Sequence, residues 1–216
     1  MMRRLQLPDA PLPDKDGRLT AAAAARNREA ILGVLLPRLP RQGDVLEIAS
    51  GTGQHIAALA AHRPDLSFHP SDPDPVRRVS IDAYCTGLPN VAQAGDLDAC
   101  QPGWAIEAAM DMVLIVNLLH LISDGELSIL LDEVRRILAP DGLLSIYGPF
   151  LRGGQTTSDG DRAFDASLRA QDAAIGYKEI EAIQSVLTAL DLSVELVEMP
   201  ANNLMILARA PMVSGL

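Results

Sequence analysis

The chain has 216 residues, 48% of them hydrophobic but only 3% aromatic, and a formal net charge of −10. That length suits one well-buried α/β domain with a core of Ala, Leu, Ile and Val, and leaves two full domains cramped. The acidic balance weighs against a general nucleic-acid binder, which needs a basic face for the phosphates.

Cys85 and Cys100 have neither C-x-x-C spacing nor neighbouring histidines, so they read as small buried hydrophobes in a reducing compartment, not as zinc ligands or a disulfide. The opening Met-Met-Arg-Arg-Leu-Gln-Leu-Pro lacks the apolar stretch of a signal peptide. The longest apolar run, Met112–Leu121, is interrupted by Asn117 and His120 and falls short of a bilayer span. A soluble, cytoplasmic protein without membrane or metal partners is the expectation.

Residues 1–19, with Pro8, Pro11, Pro13 and Gly17, read as an irregular lead-in, and residues 20–216 as a single domain. Thr20 is the expected N-cap of a helix whose apolar stripe is Ile31, Leu32, Leu35 and Leu36, stopped by Pro37 and Pro40. A regular alternation follows. Strands are expected at Asp44–Ala49, Leu66–His69, Val91–Ala94, Met112–Val116 and Leu143–Tyr147. Helices are expected at Gln54–His62, Val76–Tyr84 and after Ser123, which forms a capping box with Glu126. Gly148–Asp161 reads as a long surface loop, and helices follow at Ala163–Asp172 and Lys178–Leu190. Leu192–Val197 and Leu204–Ala208 close the pattern as two strands with no helix between them. The alternation implies right-handed crossovers and a mostly parallel sheet. Seven strands ending in an antiparallel edge hairpin give an α/β, Rossmann-like outline, that of the class I methyltransferase sheet.

The junction Glu47-Ile48-Ala49-Ser50-Gly51-Thr52-Gly53 carries the most chemistry. Ligands of open α/β sheets lie beyond the carboxyl ends of the strands, where glycines admit them to the backbone and a helix start offers free N–H groups. A dinucleotide fingerprint wants Gly or Ala where this chain has Ile56, which counts against a nicotinamide cofactor and an oxidoreductase. The pattern acidic-x-G-x-G-x-G fits, with Ala49 in place of the first glycine. Alone it marks a sharp turn with or without a ligand. Asp72, after the second strand, is placed to accept from ribose hydroxyls, unless it only caps the next helix. Asp96, followed by Leu97, ends the third strand, where a carboxylate meets an adenine amino group. Three suitable sheet ends point together to S-adenosylmethionine, with Glu47, Ala49, Ser50, Gly51, Gly53, Asp72, Asp96 and Leu97 as its binding residues.

Arg26-Asn27-Arg28-Glu29, Val45–His55, Pro70-Ser71-Asp72-Pro73-Asp74-Pro75, Asn117–His120, Tyr147-Gly148-Pro149-Phe150 and Met199-Pro200-Ala201-Asn202-Asn203 resemble, in matching order, the domain-of-unknown-function 938, or methyltransferase-like 26, family. The resemblance runs from about residue 20 nearly to the end. It implies a class I methyltransferase-like fold and an S-adenosylmethionine site, and no particular substrate; Ala49 is normal for that family.

At the reacting end, methyl transfer from a sulfonium is an in-line displacement that positioning can accelerate, with a base needed only if the acceptor must lose a proton. Asn117 is expected to orient cofactor or acceptor and His120 to act as base, or else to be a structural histidine at a strand–helix turn. Tyr147 is a candidate hydrogen-bond partner for the acceptor and Phe150 a pocket wall, although core packing suits both. Arg26 and Asn27 are expected to face the cofactor carboxylate from a helix acting as a lid, with a solvated face as the plainer reading. Asn202-Asn203 suits a turn, and Phe164, Asp165 and Arg169 are candidates for the acceptor mouth. Together these features predict a methyltransferase acting on a small-molecule acceptor. The alternative is a non-catalytic nucleoside-binding or interaction protein of the same fold.

Overall fold

A computed structural model describes residues 5, 12–105 and 109–212. The chain divides into two compact units, Met1–Asp98 and Ala99–Leu216.

In the first unit the elements are α1 (Ala22–Leu35), β1 (Asp44–Ile48), α2 (Gln54–His62), β2 (Ser67–Pro70) and α3 (Pro75–Cys85). The run Val45-Leu46-Glu47-Ile48 is buried throughout, as a parallel strand covered on both faces requires. β1 pairs in parallel with β2 from Asp44↔Ser67 to Glu47↔Pro70. Ile31 and Leu35 of α1, Ile56 and Leu59 of α2, Phe68 of β2 and Ile81 of α3 form the core around this ladder.

Two expectations are corrected here. The N-cap of α1 is Ala21, with no side-chain cap, because the Thr20 hydroxyl is engaged with that of Tyr84 at 2.8 Å. The strand expected at Val91–Ala94 is reduced to isolated parallel bridges, Phe68↔Val91 and Ser71↔Gly95. It cannot continue as a ladder because the Ala94 N–H donates to the Asp82 carboxylate at 2.8 Å.

In the second unit the elements are β3 (Met110–Val116), α4 (Asp124–Ile137), β4 (Leu138–Gly148), β5 (Phe150–Leu151), α5 (Asp159–Gln171), β6 (Lys178–Glu179), α6 (Ile180–Ala189), β7 (Ser193–Glu198) and β8 (Leu204–Arg209). The strand order is β3-β4-β8-β7. β3 and β4 are parallel, and β8 runs antiparallel to both β4 and β7, so the closing hairpin is as expected. The capping box is present: the Ser123 hydroxyl accepts the Glu126 N–H and the Glu126 carboxylate accepts the Ser123 N–H.

β4 begins at Leu138, earlier than the expected Leu143, and absorbs Pro140-Asp141-Gly142 through a left-handed Asp141 (φ 60°) and a register skip opposite Met110–Met112. Part of the expected surface loop at Gly148–Asp161 is also structured, since β5 pairs with β6 in parallel. With Val91–Ala94 reduced to bridges, the larger ladders hold six strands among the described residues, in place of the expected seven. Among the described residues no helix is long and apolar enough to cross a membrane.

Candidate functional site

The chain leaves β1 at Ile48 into a loop with three left-handed residues, Ala49 (φ 54°), Gly51 (φ 61°) and Gly53 (φ 87°). Ala49 adopts this conformation despite its Cβ, at a cost of about 1–2 kcal/mol. Backbone bonds sew the loop to the end of β2: Ser50 N–H donates to Ser71 O at 2.8 Å and Ser71 N–H to Glu47 O at 3.0 Å. The Ser50 and Ser71 hydroxyls both donate to Glu47 O as well.

Asp72, only 2% exposed, holds the loop from the far side, accepting the Gly51 N–H at 3.0 Å and the Asp74 N–H at 3.0 Å. It does not cap α3. Asp74 does, accepting the Val76 N–H at 2.8 Å with Pro75 behind it. Burial raises the Asp72 carboxyl above the usual carboxylate range against the opposing effects of these N–H donors and of Arg77 at 3.8 Å.

Glu47 lies beneath the loop, 1% exposed, and its Oε2 has no hydrogen-bond partner. Burial pushes its carboxyl up to about 8, with Asp72 adding to the rise and Ser50 opposing it. A buried acid with one oxygen unpartnered at a loop rich in left-handed turns is a costly arrangement that a cationic ligand group would relieve. Gly95 bridges to Pro70 and Asp72 through backbone bonds, so Asp96 is brought beside Asp72. The Asp96 carboxylate is 72% exposed and paired with Arg78 Nη1 at 3.1 Å, which also donates to Asp72 O. Leu97 follows, half-buried.

Of the α1 candidates, Asn27 Oδ1 shares a hydrogen bond of 2.8 Å with His55 Nε2 on α2, and Arg26 lies exposed. Burial first, and Arg28 second, lower His55 to about 4, so it is neutral in ordinary buffers.

In the second unit Asn117 follows β3 in the left-handed region (φ 56°), with its N–H donating to Tyr147 O at 2.8 Å. Tyr147 and Phe150 are buried. His120 is buried in a short 3₁₀ turn at Leu119–Leu121. Its ring meets Phe164 and Tyr177 edge-on, with centroids 5.7 and 6.0 Å away. Burial, aided by the Lys178 charge and opposed by Asp165, lowers His120 to about 4. A base of that strength drives proton transfer weakly at neutral pH.

The segment Gly176-Tyr177-Lys178 organises this region and was not singled out in the sequence. Gly176 N–H donates to His120 O at 3.1 Å, Tyr177 N–H to Asp165 at 2.6 Å, and Lys178 Nζ to Asp124 at 2.7 Å. A Cβ on Gly176 (φ 136°) would stand 2.7 Å from Arg169 Cζ and Asp165 Oδ1, so that this ion pair would have to shift. Its one sequence signal is a lone glycine between helices, which any loop can contain. Of the mouth candidates, Phe164 packs against the His120 ring and Asp165 acts on its charge, while Arg169 Nε is paired to Asp165 at 2.9 Å.

Asp161 is the second organiser. Its carboxylate accepts from Thr157, Ser158, Asn202 and Tyr177, tying the start of α5 to the β7–β8 turn. Burial alone would raise this carboxyl, but the four donors hold it below the usual range. Its contribution to stability is present above the unfolded carboxylate range and is lost as pH falls through the folded value. Asp161→Ala is expected to cost about 1–3 kcal/mol, because four donors lose their acceptor. The urea midpoint checks this, with hydrogen exchange faster at residues 199–203 and along α5. Unchanged exchange in both segments would refute the tie.

Residues 18–209 match the family described as "Protein of unknown function (DUF938)". The fold is similar to that of an O-methyltransferase family protein from Burkholderia thailandensis, with TM-score 0.77 and 16% identity over 89% of this chain and 58% of that one. A putative O-methyltransferase from Nostoc punctiforme gives TM-score 0.73 and 19% identity over 87% of this chain and 58% of that one. Human N-acetylserotonin methyltransferase, solved with S-adenosylmethionine, gives TM-score 0.63 and 14% identity over 78% and 48%. At these identities the likeness is one of fold, the class I methyltransferase fold, and the chain spans under two thirds of each of these proteins.

Proposed function

The chain belongs to the DUF938 family of proteins of unknown function, and on that footing we propose that it is an S-adenosylmethionine-dependent methyltransferase acting on a small-molecule acceptor. The observation that carries this reading is the partnerless buried Oε2 of Glu47 under a left-handed loop that Asp72 clamps through the Gly51 N–H. The residues fit the cofactor. Glu47 offers a negative partner for a cationic group, and Ala49–Gly53 present backbone to it. Asp72 and Asp96 offer carboxylates for hydroxyl and amino donors, and Asn27 and Arg26 on α1 are the candidates for its carboxylate. The cofactor would supply a methyl group already activated on a sulfonium. What this chain contributes is orientation and exclusion of water, the larger share of catalysis for such a displacement. Asn117, His120 and Tyr147 are the candidates toward the acceptor.

Calorimetry with S-adenosylmethionine and S-adenosylhomocysteine tests the reading. Both are expected to bind, and Asp72→Asn to weaken them about tenfold or more, as loss of a charged acceptor does. Asparagine keeps an acceptor for the loop N–H, so this change separates ligand binding from loop integrity. Absence of heat from either ligand at high micromolar protein would remove the reading.

Binding without transfer is the second reading, favoured by His120 being packed between two aromatic rings and weakly basic. Ligand binding with no methylated product across a broad acceptor screen would select it.

A further inference from the structure

The residues leading into α1 are attached to the glycine loop more closely than a lead-in requires. Gly17 (φ 81°) lies against Val79, and a Cβ there would stand 3.3 Å from its Cγ1. Arg18 donates through Nε and Nη2 to Ala83 O at 3.1 and 3.0 Å, and its guanidinium sits 5.3 Å from the centre of the Tyr84 ring. Leu19 N–H donates to Ser80 Oγ at 2.8 Å, and Ala21 N–H to Gln54 Oε1 at 2.8 Å. Thr20 adds its hydroxyl bond to Tyr84.

Ser80 and Gln54 are both buried, at 0% and 5% exposure, and neither stops at the strap. The Ser80 hydroxyl in turn donates to Thr52 O at 2.8 Å. Gln54 Oε1 accepts a second bond, from Thr52 Oγ1 at 2.9 Å. Thr52 stands between Gly51, held by Asp72, and Gly53. The bonds thus close a ring from Leu19 through Ser80, Thr52 and Gln54 to Ala21.

Each bridging group serves both sides of the ring. The hydroxyl gives one bond and takes one, and the amide oxygen takes two. Such a chain strengthens cooperatively and leaves buried groups unpaired if any member departs. Gly53, the N-cap of α2, has no side chain with which to fix the loop locally. The strap supplies that restraint from outside.

We propose that the strap Gly17–Ala21 is a positioning element for the cofactor loop, acting through Ser80 and Gln54, so that strap docking and ligand binding favour each other. The ligand half of this rests on the cofactor reading above; the coupling of strap to loop does not. Linkage makes the effect reciprocal: whatever factor the strap adds to affinity, the ligand adds to strap docking.

Hydrogen exchange of the intact protein, with calorimetry on the same samples, tests both halves. With S-adenosylhomocysteine bound, exchange at residues 17–21 is expected to slow. Gln54→Leu and Ser80→Ala are each expected to weaken that ligand about tenfold, within the usual range for coupled sites. Gln54→Glu keeps the double acceptor and is expected to restore affinity, whereas Gln54→Met, of similar bulk but with no oxygen acceptor, is not. Without any ligand, Gln54→Leu is expected to speed exchange at residues 50–53, and Asp72→Ala, which removes the acceptor of the Gly51 N–H on the opposite side of the loop, to speed it at residues 19–21. Ligand binding with wild-type affinity in Gln54→Leu and Ser80→Ala, or ligand-free exchange in which strap and loop respond separately, would overturn the proposal. Coupled exchange in a protein that binds neither nucleoside would overturn the cofactor reading and leave the coupling standing.

Discussion

Glu47→Gln is expected to make the protein more stable above pH 5 and, in the same molecule, to weaken S-adenosylmethionine binding at least about tenfold. The carboxyl moves from 4.5 to about 8 on burial, so the folded state holds a proton that the unfolded state releases. For a raised folded value, the group's favourable contribution is complete below the unfolded value. It is lost as pH rises toward and through the folded one. At pH 7 that proton costs on the order of 3 kcal/mol, and glutamine, neutral at every pH, is free of it. Urea midpoints of the two proteins should therefore coincide near pH 4, separate progressively from pH 5, and run parallel above pH 8 or 9. The loss of binding follows from the same charge, since only the carboxylate form compensates a cationic ligand group in a buried site. Parallel stability curves throughout, or unchanged affinity in the variant, would show that Glu47 serves neither purpose.

Gly53→Ala is expected to be the most damaging methyl in the loop. The residue lies at φ 87°, and its Cβ would stand 2.7 Å from Ile81 Cα, so the backbone of α3 itself has to give way. The left-handed backbone contributes about 1–2 kcal/mol and displacing a fully buried helix residue at least as much again, giving about 3 kcal/mol or more. Gly51→Ala is the control. It shares the strain at φ 61°, but its nearest neighbours are Ala49 O at 3.9 Å and Arg77 Nη1 at 4.0 Å, so its methyl has space. Thermal melts should show the large loss only at Gly53, whereas calorimetry should show Gly51→Ala weakening the nucleoside out of proportion to stability. Equal destabilisation by both would place the constraint in the left-handed backbone alone and not in the packing against α3.

Both variants act on a loop that was legible in the sequence, because its signal is local: a short apolar run, glycines, then a helix. The capping box of Ser123 and Glu126 was legible for the same reason, its partners being three residues apart. Features set by distant partners were not. Nothing near Val91–Ala94 announces that the Asp82 carboxylate takes the Ala94 N–H, which breaks the strand into bridges. Thr20 carries the chemistry of an N-cap, but Tyr84 competes for its hydroxyl. β5 and β6 pair over two residues each, too few for any periodicity to register.

The candidate residues of each unit divide along the same line. Glu47 and Asp72 were visible from spacing. Gly176, Tyr177 and Lys178 become meaningful only when folding brings them to His120, Asp165 and Asp124.

The position of β8 has a consequence for how the second unit comes into being. It follows β7 in the chain but lies between β4 and β7, hydrogen-bonded to both. During synthesis β4 waits for its antiparallel neighbour while α5, α6 and β7 are made, and β7 waits with it. For that interval the apolar run Leu143–Tyr147 presents an open strand edge, the kind of surface that pairs with other chains. The helices can form as they emerge, but the ladder closes only when Leu204–Arg209 is available, a long-range step.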